Sequence, residues 1–393
     1  MTHLLWGTIL LFVLLLQSRK QYKQECKTRE FLTNLLQLSR SKEKKAADPD
    51  TIALFLKKIP SHALEPLPAK LVNHLIRIKA LDDYRFNGFF FIAIDGTGMF
   101  YFKKRHCKHC LTKKDKNHRT IYYHHQVLEA KLVTANGFAF SLASEFIENP
   151  QAFPKKQDCE LNAFKRIVPK IKRYFPKLSI CLLLDALYAK SPVFKLCEKN
   201  HWKYIITFKQ GAMKTFYHNI WSQKAENLSH RKTIPLPHGT QRFAWVNHFE
   251  YKHYLLNVLF CNEFKSRPKK SCKDFAWITN FHELSDKNIK DIAQGGRLRW
   301  VIENEGFNVQ KNGGYALEHA YSLDNNAMKN YYYLLQIAHA LNQLMAKSNL
   351  FSDFNRQIGS LKNLAKRLAE HLRFLLIDPL IWNSTFQIRF NSA

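Results

Sequence analysis

Two apolar stretches decide the fold. Phe89–Ile94 reads FFFIAI and is followed by Asp95-Gly-Thr-Gly, while Leu178–Leu184 reads LSICLLL and is followed by Asp185. Short continuous apolar runs are typical of strands that are buried on both faces of a parallel sheet. Because ligands and catalytic groups collect at the carboxyl ends of such strands, the pattern predicts two functional carboxylates at one edge of a sheet.

The sequence around these runs predicts a mixed α/β domain. A turn at Ala135-Asn-Gly favours a hairpin, and Pro169 predicts a kink in a helix. The further predicted elements are strands Met99–Phe102, Thr120–Val133 and Gly137–Ser144, helix Cys159–Phe175, helix Leu187–Lys199 and strand Tyr204–Phe208. Meander strands followed by alternating helices and parallel strands are the element order of the ribonuclease H-like fold, a mixed sheet with flanking helices.

The charge of the chain predicts a polyanionic partner. Lys and Arg number 61 against 31 Asp and Glu, so the formal net charge is +30. Nucleic acid is the first candidate and an anionic membrane surface the second, while a basic surface that serves only solubility remains the alternative. The content of hydrophobic residues, 46%, excludes a disordered or collagen-like chain.

The N-terminal segment Leu4–Leu16 (LLWGTILLFVLLL) is apolar but short. A membrane span needs about 20 residues. A signal peptide needs a basic residue before the run and a small-residue cleavage site after it, and both are missing. We therefore expect a buried helix, with a membrane anchor or a signal peptide as alternatives. The eight cysteines do not follow disulfide spacings, which favours a cytoplasmic protein without stable membrane association.

A third carboxylate lies on a predicted helix near residue 300. Trp300 and Phe307 are seven residues apart and are expected to share the face toward the core. Glu303 lies about 60° from Trp300 around the helix, at the edge of that face, and Glu305 lies about 140° away, toward solvent. Arg299 precedes Glu303 by one turn, where it can pair with that carboxylate or with a phosphate.

Three carboxylates in a strongly basic protein predict a divalent-metal site. Oxygen ligands from Asp95, Asp185 and Glu303 suit Mg²⁺ ions that promote an in-line phosphodiester displacement. The alternative is that each aspartate only caps a strand or a turn.

These motifs resemble those of the DDE transposases of bacterial insertion sequences, in the IS-four-like group, whose ribonuclease H-like core carries a β-strand insertion. The resemblance covers roughly residues 50–345. Two positions of the group's last-helix signature differ, because its Tyr is Gly296 here and its Lys is Gln310, with Lys311 one residue late. The matching segments are Ile94-Asp95-Gly-Thr-Gly, Leu184-Asp185-Ala-Leu-Tyr-Ala and Arg299-Trp-Val-Ile-Glu303-Asn-Glu-Gly-Phe, with support from His106–Thr112, Tyr122–His124, Asp158–Ala163 and Gly314–His319.

The resemblance implies metal-dependent cleavage at the element ends and transfer of the freed 3′-hydroxyl into target DNA. It implies that Asp95, Asp185 and Glu303 hold Mg²⁺ or Mn²⁺, as two ions. The partners would be terminal inverted repeats and target DNA, bound by at least a dimer near the nucleoid. We expect DNA contacts from Arg299, Lys311 and Lys209, although Lys209 is equally well explained as a solvated loop residue. A metal-dependent nuclease of the same fold and an inactive, transposase-derived DNA-binding protein remain alternatives.

The resemblance also divides the chain into regions. The N-terminal region is shorter than the DNA-binding domain of many relatives, and truncation is one interpretation of this difference. The regions are a helical DNA-binding region at 1–85, the first part of the catalytic core at 86–209, a β-rich insertion at 210–285, the last helices of the core at 286–350 and a helical C-terminal region at 351–393.

One pair of cysteines raises the question of zinc. Cys107 and Cys110 form a CxxC motif with histidines nearby. Structural zinc sites use four ligands, typically from two spaced pairs, and only one CxxC is present. The spacing therefore favours a turn with incidental thiols over a zinc site.

Overall fold

The computed structural model describes the whole chain except residues 153, 228–229, 267–269, 350–356, 383, 386–388 and 391–393, and it omits the side chains of 221–227 and 382. The predicted C-terminal region 351–393 therefore lies partly outside the described residues. The described chain is a mixed α/β structure in which one large mixed sheet is flanked by helices.

The helices lie mainly at the two ends of the chain and between the central strands. They are α1 (Thr2–Val13), α2 (Arg19–Glu25), α3 (Arg29–Leu38), α4 (Pro49–Lys58), α5 (Ser61–Leu64), α6 (Leu67–Arg77), α7 (Glu160–Tyr174), α8 (Ser191–Lys199), α9 (Lys214–Asn227), α10 (Ile289–Leu298), a π-helix (Ile302–Asn308), α11 (Val309–Asn312), α12 (Asn325–Lys347), α13 (Leu361–Phe374) and α14 (Pro379–Trp382). Pro169 lies inside α7.

The sheet has ten strands. They are β1 (Phe90–Phe102), β2 (Leu111–Lys114), β3 (Thr120–Val133), β4 (Ala139–Ile147), β5 (Ile180–Leu184), β6 (Lys203–Thr207), β7 (Arg231–Leu236), β8 (Gly239–Tyr251), β9 (Tyr254–Lys265) and β10 (Ser271–Thr279). Their order is β2-β3-β1-β5-β6-β10-β9-β8-β7, and β4 also pairs with β3. The pairs β1–β5 and β5–β6 are parallel, whereas β1–β3 and β3–β4 are antiparallel.

Both faces of the central strands are buried, as the continuous apolar runs predict. Ile92 and Ile94 of β1 belong to a core that includes residues of α7 and α8. Phe91 and Ala93 point to the opposite face, into a second core that includes residues of α10 and the π-helix. Alternation along one strand therefore supplies two cores, because successive side chains point to opposite faces.

The strands between residues 210 and 285 extend this sheet. Strand β10 pairs antiparallel with β6, with Trp277 opposite Thr207, and β9, β8 and β7 follow in turn. The strands predicted in this segment are thus present, each longer than expected. Helix α9 was not predicted from the sequence.

The buried helix expected at Leu4–Leu16 is confirmed. Helix α1 covers Thr2–Val13, and its residues from Gly7 onward are buried. It shares a hydrophobic cluster with α12, near which Arg19 donates a hydrogen bond to the hydroxyl of Tyr331 at 2.8 Å. Among the described residues, no helix combines the length and the apolar character that crossing a membrane requires.

Candidate active site at the sheet edge

Asp95 and Asp185 lie on neighbouring parallel strands at the same level. The last register pair between β1 and β5 is Ala93 with Leu183, and each aspartate comes two residues later. Neighbouring strands are about 4.8 Å apart, so the two residues are adjacent in the sheet. One carboxylate oxygen of Asp95 accepts from the backbone N–H of Gly96 at 2.9 Å, and one of Asp185 accepts from that of Leu187 at 2.6 Å.

The helix that carries Glu303 differs from the expected regular helix. Residues 302–308 form a π-helix, whose wider turn shifts the faces of the residues that follow. Trp300 is therefore 51% exposed, while Phe307 is 5% exposed. The expectation that these two side chains share the core-facing stripe is wrong, because the seven-residue spacing holds only for a continuous α-helix.

Arg299 joins two of the predicted ligands. Its Nη1 donates to Oδ2 of Asp95 at 3.2 Å and to Oε1 of Glu303 at 2.7 Å. The Arg299 side chain is only 9% exposed, so this pairing lies largely out of solvent. Of the two roles considered for Arg299, pairing with Glu303 is the one that the structure contains.

Glu160 is an acidic residue that the sequence did not single out as functional, because a residue near a helix start is well explained as an N-terminal capping or dipole interaction. It lies at the start of α7, where one carboxylate oxygen accepts from Nε2 of Gln126 at 2.9 Å. Its other oxygen accepts from the hydroxyl of Tyr188 at 3.4 Å. A β-carbon built on Gly96 would come within 2.6 Å of the Glu160 carboxylate, so this fourth acid lies directly beside Asp95.

The acids influence each other's protonation. Burial raises the pKa of Asp95 to about 7, and the charges of Glu303 and Glu160 add to that effect, while the Arg299 guanidinium and the Gly96 N–H oppose it. Burial and the nearby charge of Asp185 also raise the pKa of Glu160. Carboxylates that share a site destabilise one another's ionised forms, and a bound cation would relieve this repulsion.

The donor set suits a hard divalent cation. All the side-chain donors that face Asp95 in this cluster are carboxylate oxygens, and a guanidinium already supplies one positive charge between two of them. Mg²⁺ and Mn²⁺ prefer such oxygen ligands. Asp95, Asp185 and Glu303 therefore fit a metal of this kind.

Glu305, the neighbouring acid, lies elsewhere. Its side chain is half-buried rather than directed to solvent as expected. The Cγ of Glu305 lies 3.4 Å from the β-carbon position of Gly137, and its charge acts on Lys347. The π-helix accounts for this placement, since it rotates Glu305 toward the turn between β3 and β4.

The remaining predicted contact residues are spread around this centre. Lys209 is exposed and follows β6, at the same sheet edge as the acids, where it lines a cavity of about 620 Å³ with Arg231 and Arg242. Lys311 forms an ion pair with Glu318 at 2.9 Å. No contact between Lys209 or Lys311 and the acids occurs in the described part of the chain.

The two departures from the last-helix signature have structural counterparts. Gly296 faces Trp277 so closely that a β-carbon there would lie 2.3 Å from the indole nitrogen. A tyrosine at this position would collide with that ring. Gln310 is buried and bonds to Gln336 and His339, at 2.8 and 2.9 Å.

A second cluster of ligand-type side chains lies beyond the acids. His106, Cys107, Cys110 and His125 place one potential ligand atom each within 4.8 Å of all the others. Across the described residues, no other group of three or more His, Cys, Asp or Glu converges this tightly, the three predicted metal ligands included. Single-motif reasoning missed this cluster because His125 comes from a different strand.

Comparison of the sequence with protein-family models and with curated protein sequences found no match. The functional argument therefore rests on the residues and their geometry.

Proposed function

We propose that this protein is a DNA transposase of the DDE class, which cleaves DNA at the ends of an insertion sequence and joins the freed 3′-hydroxyl to target DNA. One observation carries the proposal. Arg299 bridges Asp95 and Glu303, and Asp95 lies level with Asp185 on the adjacent parallel strand. Three acids far apart in sequence thus come from two strand ends and one helix.

The strand arrangement supports a ribonuclease H-like core. Three antiparallel strands are followed by two parallel ones, in the spatial order β4-β3-β1-β5-β6. Helices α7 and α8 make the connections before β5 and β6. This arrangement matches the element order from which the fold was expected.

In the proposed reaction, Asp95, Asp185 and Glu303 would hold Mg²⁺ or Mn²⁺, in two ions. When bound, such ions activate a water or a 3′-hydroxyl and stabilise the leaving oxygen of an in-line displacement. The chain's own groups prepare these ligands: the N–H groups of Gly96 and Leu187 fix one oxygen of each aspartate. Their remaining oxygens are left for a cation.

Arg299 acts on the ligands rather than on DNA in this proposal. Its guanidinium balances the charge of Asp95 and Glu303 and orients both carboxylates. Because its side chain is 9% exposed, it offers little surface to a phosphate. Glu160 adds a fourth negative charge beside Gly96, where it would bind or orient a cation-bound water.

Charge supplies the DNA-binding part of the proposal. The formal charge of +30 favours a polyphosphate partner. Between residues 103 and 119 the chain has eight Lys or Arg and one acidic residue, Asp115. Most of these cations are exposed on the connection from β1 to β3, beyond the strand segment that carries Asp95.

The test is a cleavage and joining assay with labelled DNA that carries the sequences flanking the reading frame. With Mg²⁺, the wild-type protein should nick at the repeat ends and join the product to a plasmid. Asp185→Asn should bind the same DNA without cutting it, because one metal ligand is lost.

Three outcomes would contradict the proposal. Cleavage that persists after all divalent metal is removed would refute the metal assignment. Cleavage without joining would indicate a nuclease. DNA binding by the wild-type protein without any metal-dependent cleavage would indicate a DNA-binding protein descended from a transposase.

A further inference from the structure

The turn after β1 and the adjacent strand β3 bring together four ligand-type side chains. Sγ of Cys107 and Sγ of Cys110 are 3.4 Å apart, and each lies 3.5 Å from Nε2 of His125. Nε2 of His125 lies 3.1 Å from Nε2 of His106. All four potential ligand atoms therefore surround one point.

These separations match those of a tetrahedral zinc site. Zinc binds sulfur at about 2.3 Å and imidazole nitrogen at about 2.0–2.1 Å, so tetrahedral ligand atoms lie roughly 3.3–3.8 Å from one another. Four of the six separations in the cluster are 3.1–3.5 Å. Two sulfurs and two imidazole nitrogens are also a standard structural donor set for zinc.

Hydrogen bonding alone accounts poorly for this arrangement. Thiols are weak donors and weak acceptors, and two facing imidazole nitrogens can share only one proton. Cys110 and His125 are nevertheless buried, at 0% and 2% exposed. A cation at the centre would satisfy all four groups together.

The surrounding backbone holds the turn in a ligand-ready shape. The backbone N–H groups of His109 and Cys110 donate to Sγ of Cys107. Nη1 of Arg105 and Nδ2 of Asn149 donate to the carbonyl oxygen of Cys110, at 3.1 and 2.8 Å. N–H donors to a cysteine sulfur favour its thiolate form, which is the form that binds a metal.

We propose that His106, Cys107, Cys110 and His125 form a structural zinc site that fastens the turn between β1 and β2 to β3. Four protein ligands leave no open position for a substrate, so the zinc would have a structural and not a catalytic role. The site would order the base of the basic segment 103–119. This inference is independent of the proposed transposase activity.

The test is zinc analysis of the full chain, purified without a histidine tag under reducing conditions. Mass spectrometry of the metal content should find about one zinc per chain, as expected for a four-ligand structural site. Cys107→Ser, Cys110→Ser and His125→Asn should each lose most of it. Cys272→Ser and His118→Asn, which alter exposed residues outside the cluster, should retain it.

A second measurement keeps the test valid if the ligand variants fail to fold. Cobalt added to zinc-depleted wild-type protein should give the ligand-field bands of a tetrahedral site and a thiolate-to-cobalt charge-transfer band, both displaced by zinc. The proposal fails if the reduced wild-type protein contains no zinc and cobalt shows no thiolate band. It also fails if Cys107 and Cys110 form a disulfide under these conditions, since they would then serve as a redox pair.

Discussion

The carboxylate of Glu160 lies against the backbone of Gly96, where a β-carbon would come within 2.6 Å of Oε1. Gly96 immediately follows Asp95, so the absence of a side chain lets a fourth acid approach the site. Gly96→Ala should displace Glu160 and reduce cleavage by about tenfold or more, because small displacements of positioned groups cost large factors in rate.

Gly98→Ala is the matched control for that variant. It lies on the same strand, and nothing lies within 4 Å of its β-carbon position. Cleavage by Gly98→Ala should stay near the wild-type rate, and thermal unfolding should show that both variants fold. Equal activity of the two variants would show that the position of Glu160 does not matter.

Glu303 and Glu305 are expected to differ in function although they are two residues apart. Glu303 shares Arg299 with Asp95, whereas Glu305 lies beside Lys347. Glu303→Gln should lower cleavage by several orders of magnitude, as expected for neutralisation of a metal ligand, and Glu305→Gln should remain within roughly tenfold of wild type. The rates should be measured on intact and on precleaved DNA ends. The reverse ranking would refute the choice of Glu303.

Asp95 is expected to make stability depend on pH in magnesium-free buffer. Its pKa in the folded protein is about 7, against an ordinary value of 3.8, and burial is the main cause. Between these values the folded state holds a proton that the unfolded chain has released, so the free energy of unfolding falls as pH rises. The penalty is complete above pH 7 and is on the order of 3–4 kcal/mol at most.

Asp95→Asn removes that penalty. Chemical denaturation should find the variant increasingly more stable than wild type as pH rises from about 4 to 7, with a constant difference above that range. Asp286→Asn, which removes an exposed carboxylate, controls for the change in net charge. A difference between Asp95→Asn and wild type that does not change with pH would contradict the raised pKa of Asp95.

Binding to duplex DNA should weaken steeply with salt. Each neutralised phosphate contributes about 0.9 to the slope of log affinity against log salt. Replacing the exposed Lys113, Lys114 and Lys116 by Gln should reduce this slope by up to about three contacts. Replacement of the same residues by Arg keeps the charge and should keep the slope. A flat titration of the wild-type protein would refute the nucleic-acid partner.

The pair Lys131–Glu129 should contribute strongly to stability. Their charged atoms are 3.3 Å apart, and both side chains are fully buried beneath the helix that carries Glu303. Lys131→Ala leaves the Glu129 carboxylate without its cation and should cost about 3–5 kcal/mol of unfolding free energy. Lys23→Ala breaks an exposed pair with Asp48 and should cost less than about 1 kcal/mol. Similar costs in the two variants would show that burial of the Lys131 pair has no special effect.

The sequence by itself determined which strands form the centre of the sheet and where their aspartates lie. Runs such as Phe89–Ile94 are apolar on both faces and can be buried only between two layers, so local composition is enough to predict them. The same reasoning correctly predicted that Leu4–Leu16 contains a buried helix, because its length excludes a comfortable membrane span.

Tertiary structure decided what helical periodicity could not. The π-helix at 302–308 exposes Trp300 and turns Glu305 away from the acids, and a wheel drawn at a constant 100° per residue cannot contain such a turn. The placement of Glu160 beside Gly96 and of His125 beside Cys110 depends on which strands and helices become neighbours. Contacts between residues distant in sequence arise from the packing of whole elements, and for that physical reason the fourth acid and the complete His/Cys cluster appear only in the folded chain.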